Sequence, residues 1–167
     1  MKTTTQKVVI SAMLAALVCV ATMIIKIPSP LKGYINLGDP VVLLCGWLLP
    51  PGYAFFAAGI GSALADVFSG YVTYAPATFI IKGLVAVIAF GIYYLLAKRT
   101  NHIVARIIGG TTAEIFMILG YFLFEGVLYG FVPSVVNIPA NAVQGIAGVI
   151  FGIILINIFN KNKIIKQ

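Results

Sequence analysis

The sequence predicts an all-α integral membrane protein with six transmembrane helices and both termini cytoplasmic. Three observations carry that prediction. Hydrophobic residues make up 61% of the 167 and charged residues only 9%, against about 25% charged in an ordinary soluble domain. Mean hydropathy is +1.08, which is more apolar surface than a core of this size hides from water. The formal net charge of +7 is gathered at the chain ends and in one loop. Cytoplasmic loops of membrane proteins collect Lys and Arg in this way, so the basic balance points to topology and away from nucleic acid. The length fits a single transmembrane domain, 1–167, with no linker, low-complexity tract or internal repeat.

The first span runs near Lys7–Ile25. The uncharged run from Val8 to Ile25 is 18 residues, longer than a signal-peptide core of about 7–15. No A-x-A cleavage site follows it, so it reads as a retained helix. Ile27–Gly38 holds Pro28, Pro30 and Gly33 and reads as a loop. Apolar sequence then continues from Asp39 to Ser69, interrupted by Pro50-Pro51-Gly52, as one bent span or two spans in a tight hairpin. The fourth span begins at Pro76, a good first-turn residue, and ends before Lys98-Arg99. The fifth covers about Val104 to Gly130. The last runs from Pro133 to Asn160, ahead of Lys161, Lys163 and Lys166.

Charge chooses between five and six spans. With six, the Lys98–Arg106 loop and the basic tail share the side of Lys2 and Lys7; with five, both fall outside, against the positive-inside bias. Lys26 and Lys32 are the misfits. The second span is short if it begins at Asp39, so it starts earlier or tilts.

Ionisable groups inside a bilayer cost at least roughly 2.5–3.5 kcal/mol near its centre and need partners or a wet cavity. Asp66, Lys82, Glu114 and Glu125 are the candidates. At about 100° per residue, Glu114, Tyr121 and Glu125 share one stripe of their helix. Asn137, Asn141 and Gln144 form a second, and Thr78 with Lys82 a shorter third. All lie mainly in the outer halves of their helices, as expected of a water-accessible cavity open to the exterior. The plainer alternative is interhelical hydrogen bonding, worth about 0.6 kcal/mol per bond, with Lys82 neutralised by a glutamate. Asp39, ahead of an apolar helix, reads as an N-cap, and Asp66 as a residue within reach of water. Tyr71, Tyr74, Tyr121, Phe122, Tyr129 and Phe131 gather near the outer boundary, as an interfacial belt or as stacking partners for a flat ring.

Helix 1 carries a small-residue face with Ala12 and Ala16 one turn apart, and span three a comparable face at Ala57, Gly61 and Ala65. Such faces let helices approach closely; the second is assigned to internal packing. Cys19 and Cys45 lie in apolar runs without metal-ligand spacing. His102 stands alone among basic residues, so no metal or other cofactor is expected. There is no G-x-x-x-x-G-K-[ST] phosphate cradle and no nucleophile–base set. Uphill transport would draw on a partner or an ion gradient. A small integral membrane enzyme acting on lipid would have only Asp66 with Tyr71 to offer; a channel or assembly protein is the other class to weigh.

The Ala12/Ala16 face, "INLGDPVVLLCGWLLPPGYA", "GIGSALADVFSGYVTYAPATFIIKG" and "NIPANAVQG" together give the chain a close resemblance to the S components of energy-coupling factor (ECF) vitamin transporters. It resembles the riboflavin-transporter-related branch, which also holds vitamin B6 and hydroxymethylpyrimidine candidates. The resemblance implies a multi-pass protein of the bacterial cell membrane that captures a vitamin from outside, beneath the loop between helices 1 and 2, using helices 4 to 6. It then topples while docked through Ala12 and Ala16 on a transmembrane coupling subunit driven by two ATPase subunits. On the polar stripes and the tyrosine cluster, the candidate binding residues are Tyr74, Thr78, Lys82, Glu114, Tyr121, Glu125, Asn137, Asn141 and Gln144; the resemblance turns Lys82 to the cavity and matches helix 6 at Asn141. In riboflavin binders helix 6 opens like P-x-N-x-x-K-G; here it reads Pro139-Ala140-Asn141-Ala142-Val143-Gln144-Gly145. Glutamine in place of lysine favours a smaller heteroaromatic alcohol, pyridoxine or hydroxymethylpyrimidine, over riboflavin or pantothenate.

Overall fold

The computed structural model describes residues 3–29 and 33–161. The expectations that rest on Lys2, Pro30, Lys32, Lys163 and Lys166 lie outside them. The chain forms α1 (Thr4–Ile24), a short hairpin of β1 (Lys26–Pro28) and β2 (Tyr34–Asn36), α2 (Asp39–Leu48), α3 (Pro51–Phe68), α4 (Ala75–Leu96) and α5 (His102–Tyr129). A four-residue turn of helix, α6 (Phe131–Ser134), and a 3₁₀ turn lead into α7 (Ile138–Lys161).

Polarity is inverted relative to a soluble protein. Val8, Met13, Phe56, Leu95, Leu119 and Ile146 are among many large apolar side chains facing outward, while Asp39, Asp66, Lys82, Glu114, Glu125 and Gln144 are buried. Only a hydrocarbon solvent makes that arrangement favourable. Thr4–Ile24, Ala75–Leu96, His102–Tyr129 and the Phe131–Lys161 stretch are each long and apolar enough to cross a membrane. The 18-residue α3 is about 27 Å long at 1.5 Å per residue, while the 10-residue α2 is about 15 Å, half the hydrocarbon thickness.

The Pro50-Pro51 interruption resolves as a reversal. Pro50 is extended and Pro51 opens α3, since proline suits a first helical turn and nothing deeper. Asp39 at the start of α2 meets Lys82 of α4, and Gly46 further along meets Ala86 and Ala89, so α2 runs alongside α4 in the same direction. Gly59 meets Phe79 and Gly83 meets Phe55, so α3 runs opposite. The region expected to be a plain loop is an antiparallel hairpin, with Lys26 opposite Asn36 and Pro28 opposite Tyr34. Lys26 Nζ donates to Ser69 Oγ at 3.0 Å, tying the ends of α1 and α3 together.

The core is centred on α2, whose residues from Asp39 to Trp47 are all buried. A helix apolar all round must be enclosed, and Val41–Cys45 are covered by α1, α4 and α7. Ala57, Gly61 and Ala65 are buried, with Gly61 against Ala15 and Val18, the internal packing expected of them. Asp39 is the first helical residue of α2 rather than its cap, and its side chain points into the bundle.

Glycines on α7 make room for the charged groups. A Cβ at Gly148 would stand 2.9 Å from Asp39 Cβ and 3.2 Å from Glu114 Oε1, whereas one at Gly91 would meet nothing within 4 Å. Gly148→Ala is expected to destabilise the protein by about 1–3 kcal/mol through overpacking. Gly91→Ala should be neutral or stabilising by up to about 1 kcal/mol. Thermal unfolding in detergent micelles measures both; equal midpoints would contradict the packing at α7.

Candidate functional site

Beneath the hairpin, α3, α4, α5 and α7 converge on a cavity. Its deepest layer is ionic. The Lys82 ammonium pairs with Asp39 Oδ1 and also lies 2.9 Å from Met117 Sδ. Gln144 Nε2 donates to the other Asp39 oxygen at 2.6 Å, so both carboxylate oxygens are used. The same amide's Oε1 accepts from Asn36 N of β2 at 2.8 Å. Gln144 therefore joins the buried ion pair to the backbone of the hairpin.

The walls carry hydroxyls, amides and carboxylates. Tyr121 OH donates to Thr78 Oγ1 at 3.2 Å. Glu125 Oε1 accepts from Asn137 Nδ2 at 2.8 Å and from Tyr74 OH at 3.3 Å. Asn141, Gln144 and Asp66 complete the lining. The 3₁₀ turn at Val135–Asn137 sets Asn137 ahead of α7, so it reaches α5 while Asn141 and Gln144 face the cavity.

Ser29, Gly33, Tyr34 and Asn36 of the hairpin form the roof. Tyr34 OH donates to Asp66 Oδ1 at 2.6 Å. A tyrosine hydroxyl is protonated at neutral pH, so Tyr34 is the donor of this bond. Its ring lies 4.7 Å from that of Tyr71, and Tyr74 packs edge-on against Phe124 at 5.3 Å. The enclosed space is only about 30 Å³, room for about two waters.

Seven of the nine expected binding residues line this cavity: Tyr74, Thr78, Tyr121, Glu125, Asn137, Asn141 and Gln144. Lys82 lies behind the lining, 5.5 Å from the Tyr121 ring centroid. Its partner is Asp39, not a glutamate, because α2 starts at the depth of Lys82. Glu114 sits deeper, against Gly145 and Gly148 of α7, and borders a separate apolar groove between α5 and α7. Sequence reasoning undervalued Asp39 and Asp66 and passed over Tyr34 and Asn36. The available signal was that Asp39 and Asp66 are the only acids in a long apolar run. Asp66 pairs with Tyr34 rather than Tyr71, which removes the lipid-enzyme constellation.

Ala12 and Ala16 are exposed and line an apolar groove of about 620 Å³ between α1 and α3, with Tyr53, Phe56 and Ile60 opposite. Ala15, one residue round the helix, is the position that packs on Gly61.

An apolar-surfaced bundle holding a roofed cavity of carboxylates, amides and phenols is built as a membrane-embedded receptor for a small polar molecule. A family model described as ECF-type riboflavin transporter, S component, matches residues 2–161, and the chain belongs to that family. It is accordingly a multi-pass membrane protein, a substrate-binding transport subunit that works with an ECF module in vitamin uptake, and not an enzyme. A Pyrococcus woesei protein described as "Uncharacterized protein in gap 3'region" is 40% identical over 137 residues, which is 81% of this chain and 88% of the relative.

Proposed function

We propose that this S component, acting as one transmembrane unit, captures pyridoxine or hydroxymethylpyrimidine from outside the cell. The carrying observation is the cavity floor, where Gln144 stands at the position a riboflavin binder gives to lysine and is already bonded to Asp39 and Asn36. Its amide both donates and accepts, which suits a ring nitrogen or hydroxyl. A ligand at that depth takes the Gln144 acceptor from Asn36. Loading therefore lifts the hairpin, breaking the Asn36–Gln144 and Tyr34–Asp66 bonds, and enlarges a space too small for any vitamin while closed. Riboflavin is the second reading, favoured by the description of the matching family.

Calorimetric titration with pyridoxine, hydroxymethylpyrimidine and riboflavin tests this. Asn141→Ala and Gln144→Ala should each weaken the true ligand by about 1–3 kcal/mol, roughly five- to 150-fold. Gln144→Lys should weaken a small neutral ring and preserve or improve riboflavin. Unaltered affinity in all three variants would mean that the α7 stripe is interhelical packing and nothing more.

The orientation that this function needs is six passes with both termini cytoplasmic, α2 and the hairpin together making the second. The Lys98–His102 turn then faces inward with Lys161. A cysteine at Asn101, which is exposed, should resist impermeant thiol reagent in intact cells and react after permeabilisation; labelling from outside would contradict the orientation. Toppling on a transmembrane coupling subunit with two ATPases, through Ala12 and Ala16, completes the proposed cycle.

A further inference from the structure

All four acidic residues of the chain, Asp39, Asp66, Glu114 and Glu125, are buried inside the bundle, none more than 4% exposed. Only Asp39 has a cationic partner among the described residues. The other buried base, Arg106, bonds Tyr93 near the α4–α5 turn, away from the cavity. No Lys, Arg or His among the described residues lines the cavity, while two carboxylates do. Each of those two keeps one oxygen free. Glu125 commits Oε1 to Asn137 and Tyr74, and Asp66 commits Oδ1 to Tyr34; Glu125 Oε2 and Asp66 Oδ2 make no hydrogen bond. A buried acceptor left unpaired costs free energy that a donor recovers, and a charged acceptor most of all.

Resting on the reading of this cavity as the vitamin site, we propose that it selects an amine-bearing or cationic heteroaromatic, whose N–H edge is received by Glu125 Oε2 and Asp66 Oδ2, and that it rejects anions. Lys82 does not offset this charge, because Asp39 already takes it. Tyr74 and Tyr121 also line the cavity, and aromatic rings attract a flat cation. Carboxylate ligands such as pantothenate meet two carboxyl groups, with no Lys, Arg or His among the described lining residues to offset them.

Three probes that differ at a single ring substituent isolate the effect: pyridoxamine (aminomethyl), pyridoxine (hydroxymethyl) and 4-pyridoxic acid (carboxylate). Each is titrated calorimetrically at pH 7 into detergent-solubilised full-length protein and into Glu125→Gln, with thermal unfolding recorded to confirm that the variant is folded. The amine should bind about tenfold or more tighter than the alcohol, and the acid should not bind at millimolar concentration. Glu125→Gln should bring the amine-to-alcohol ratio to near one. If the amine and alcohol bind equally, or the acid binds as well as either, the proposal is overturned while the site stands. Riboflavin binding with none of the three probes has the same meaning. A ratio unmoved by a folded Glu125→Gln also overturns it. If Asn141→Ala and Gln144→Ala also leave all binding unchanged, the reading of the site falls with it. Should no probe bind, riboflavin and hydroxymethylpyrimidine included, both fall.

Discussion

Lys82→Met is expected to destabilise the protein by about 3–5 kcal/mol, the cost of leaving a buried carboxylate without its counter-charge. Asp39 would keep a single donor, Gln144 Nε2, at a position with no exposure at all. The charge cannot escape to water, since α2 is enclosed by α1, α4 and α7. The variant should unfold at a much lower temperature in detergent, or fail to accumulate. Adding Asp39→Asn should recover most of the loss, because the double variant buries neither charge and the new amide can still bond Gln144. Thermal unfolding of the two single variants and the double closes the cycle. A single variant as stable as the parent, or a double no better than the single, would show that the ion pair does not hold the floor of the cavity.

Ala12→Trp and Ala16→Trp are expected to abolish uptake while leaving ligand binding by the isolated subunit nearly intact. Both methyl groups lie on the outside of α1, at the edge of an apolar groove, and neither faces the cavity. An indole there fills the groove and keeps another helix from approaching closely, yet disturbs no internal contact. That contrasts with Ala15, whose backbone already meets Gly61. Co-purification with the coupling subunit, together with a binding titration, separates docking from folding. Normal complex formation and uptake in both variants would remove the docking role.

Much of this was legible in the sequence because the bilayer is a simple solvent. Composition alone selected helices, and the 3.6-residue period placed Tyr121 with Glu125, and Asn141 with Gln144, on faces that the structure brings together. The period fails on depth. Glu114 shares its stripe with Tyr121 but lies seven residues earlier, about 10 Å down the helix, and so misses the cavity. The Asp39–Lys82 pairing was hidden because it depends on α2 running beside α4 in register, a fact about topology that no local pattern encodes. Hydropathy could not show that α2 is a half-length helix, since a buried short helix and part of a longer span are equally apolar. The hairpin escaped because Pro28 and Gly33 read as loop signals, and its pairing of only three residues per strand leaves too little alternation to detect. Tyr34 and Asn36 were missed with it.

The central claim is that the cavity beneath the hairpin holds a vitamin. Its most direct measurement is mass spectrometry of the small molecules that co-purify with the full-length protein, set beside the same preparation of an Asn141→Ala, Gln144→Ala double variant. The account predicts a heteroaromatic compound of vitamin size, about one per chain in the parent and depleted in the variant. A parent preparation carrying only lipid, or a compound retained equally by both, would contradict it.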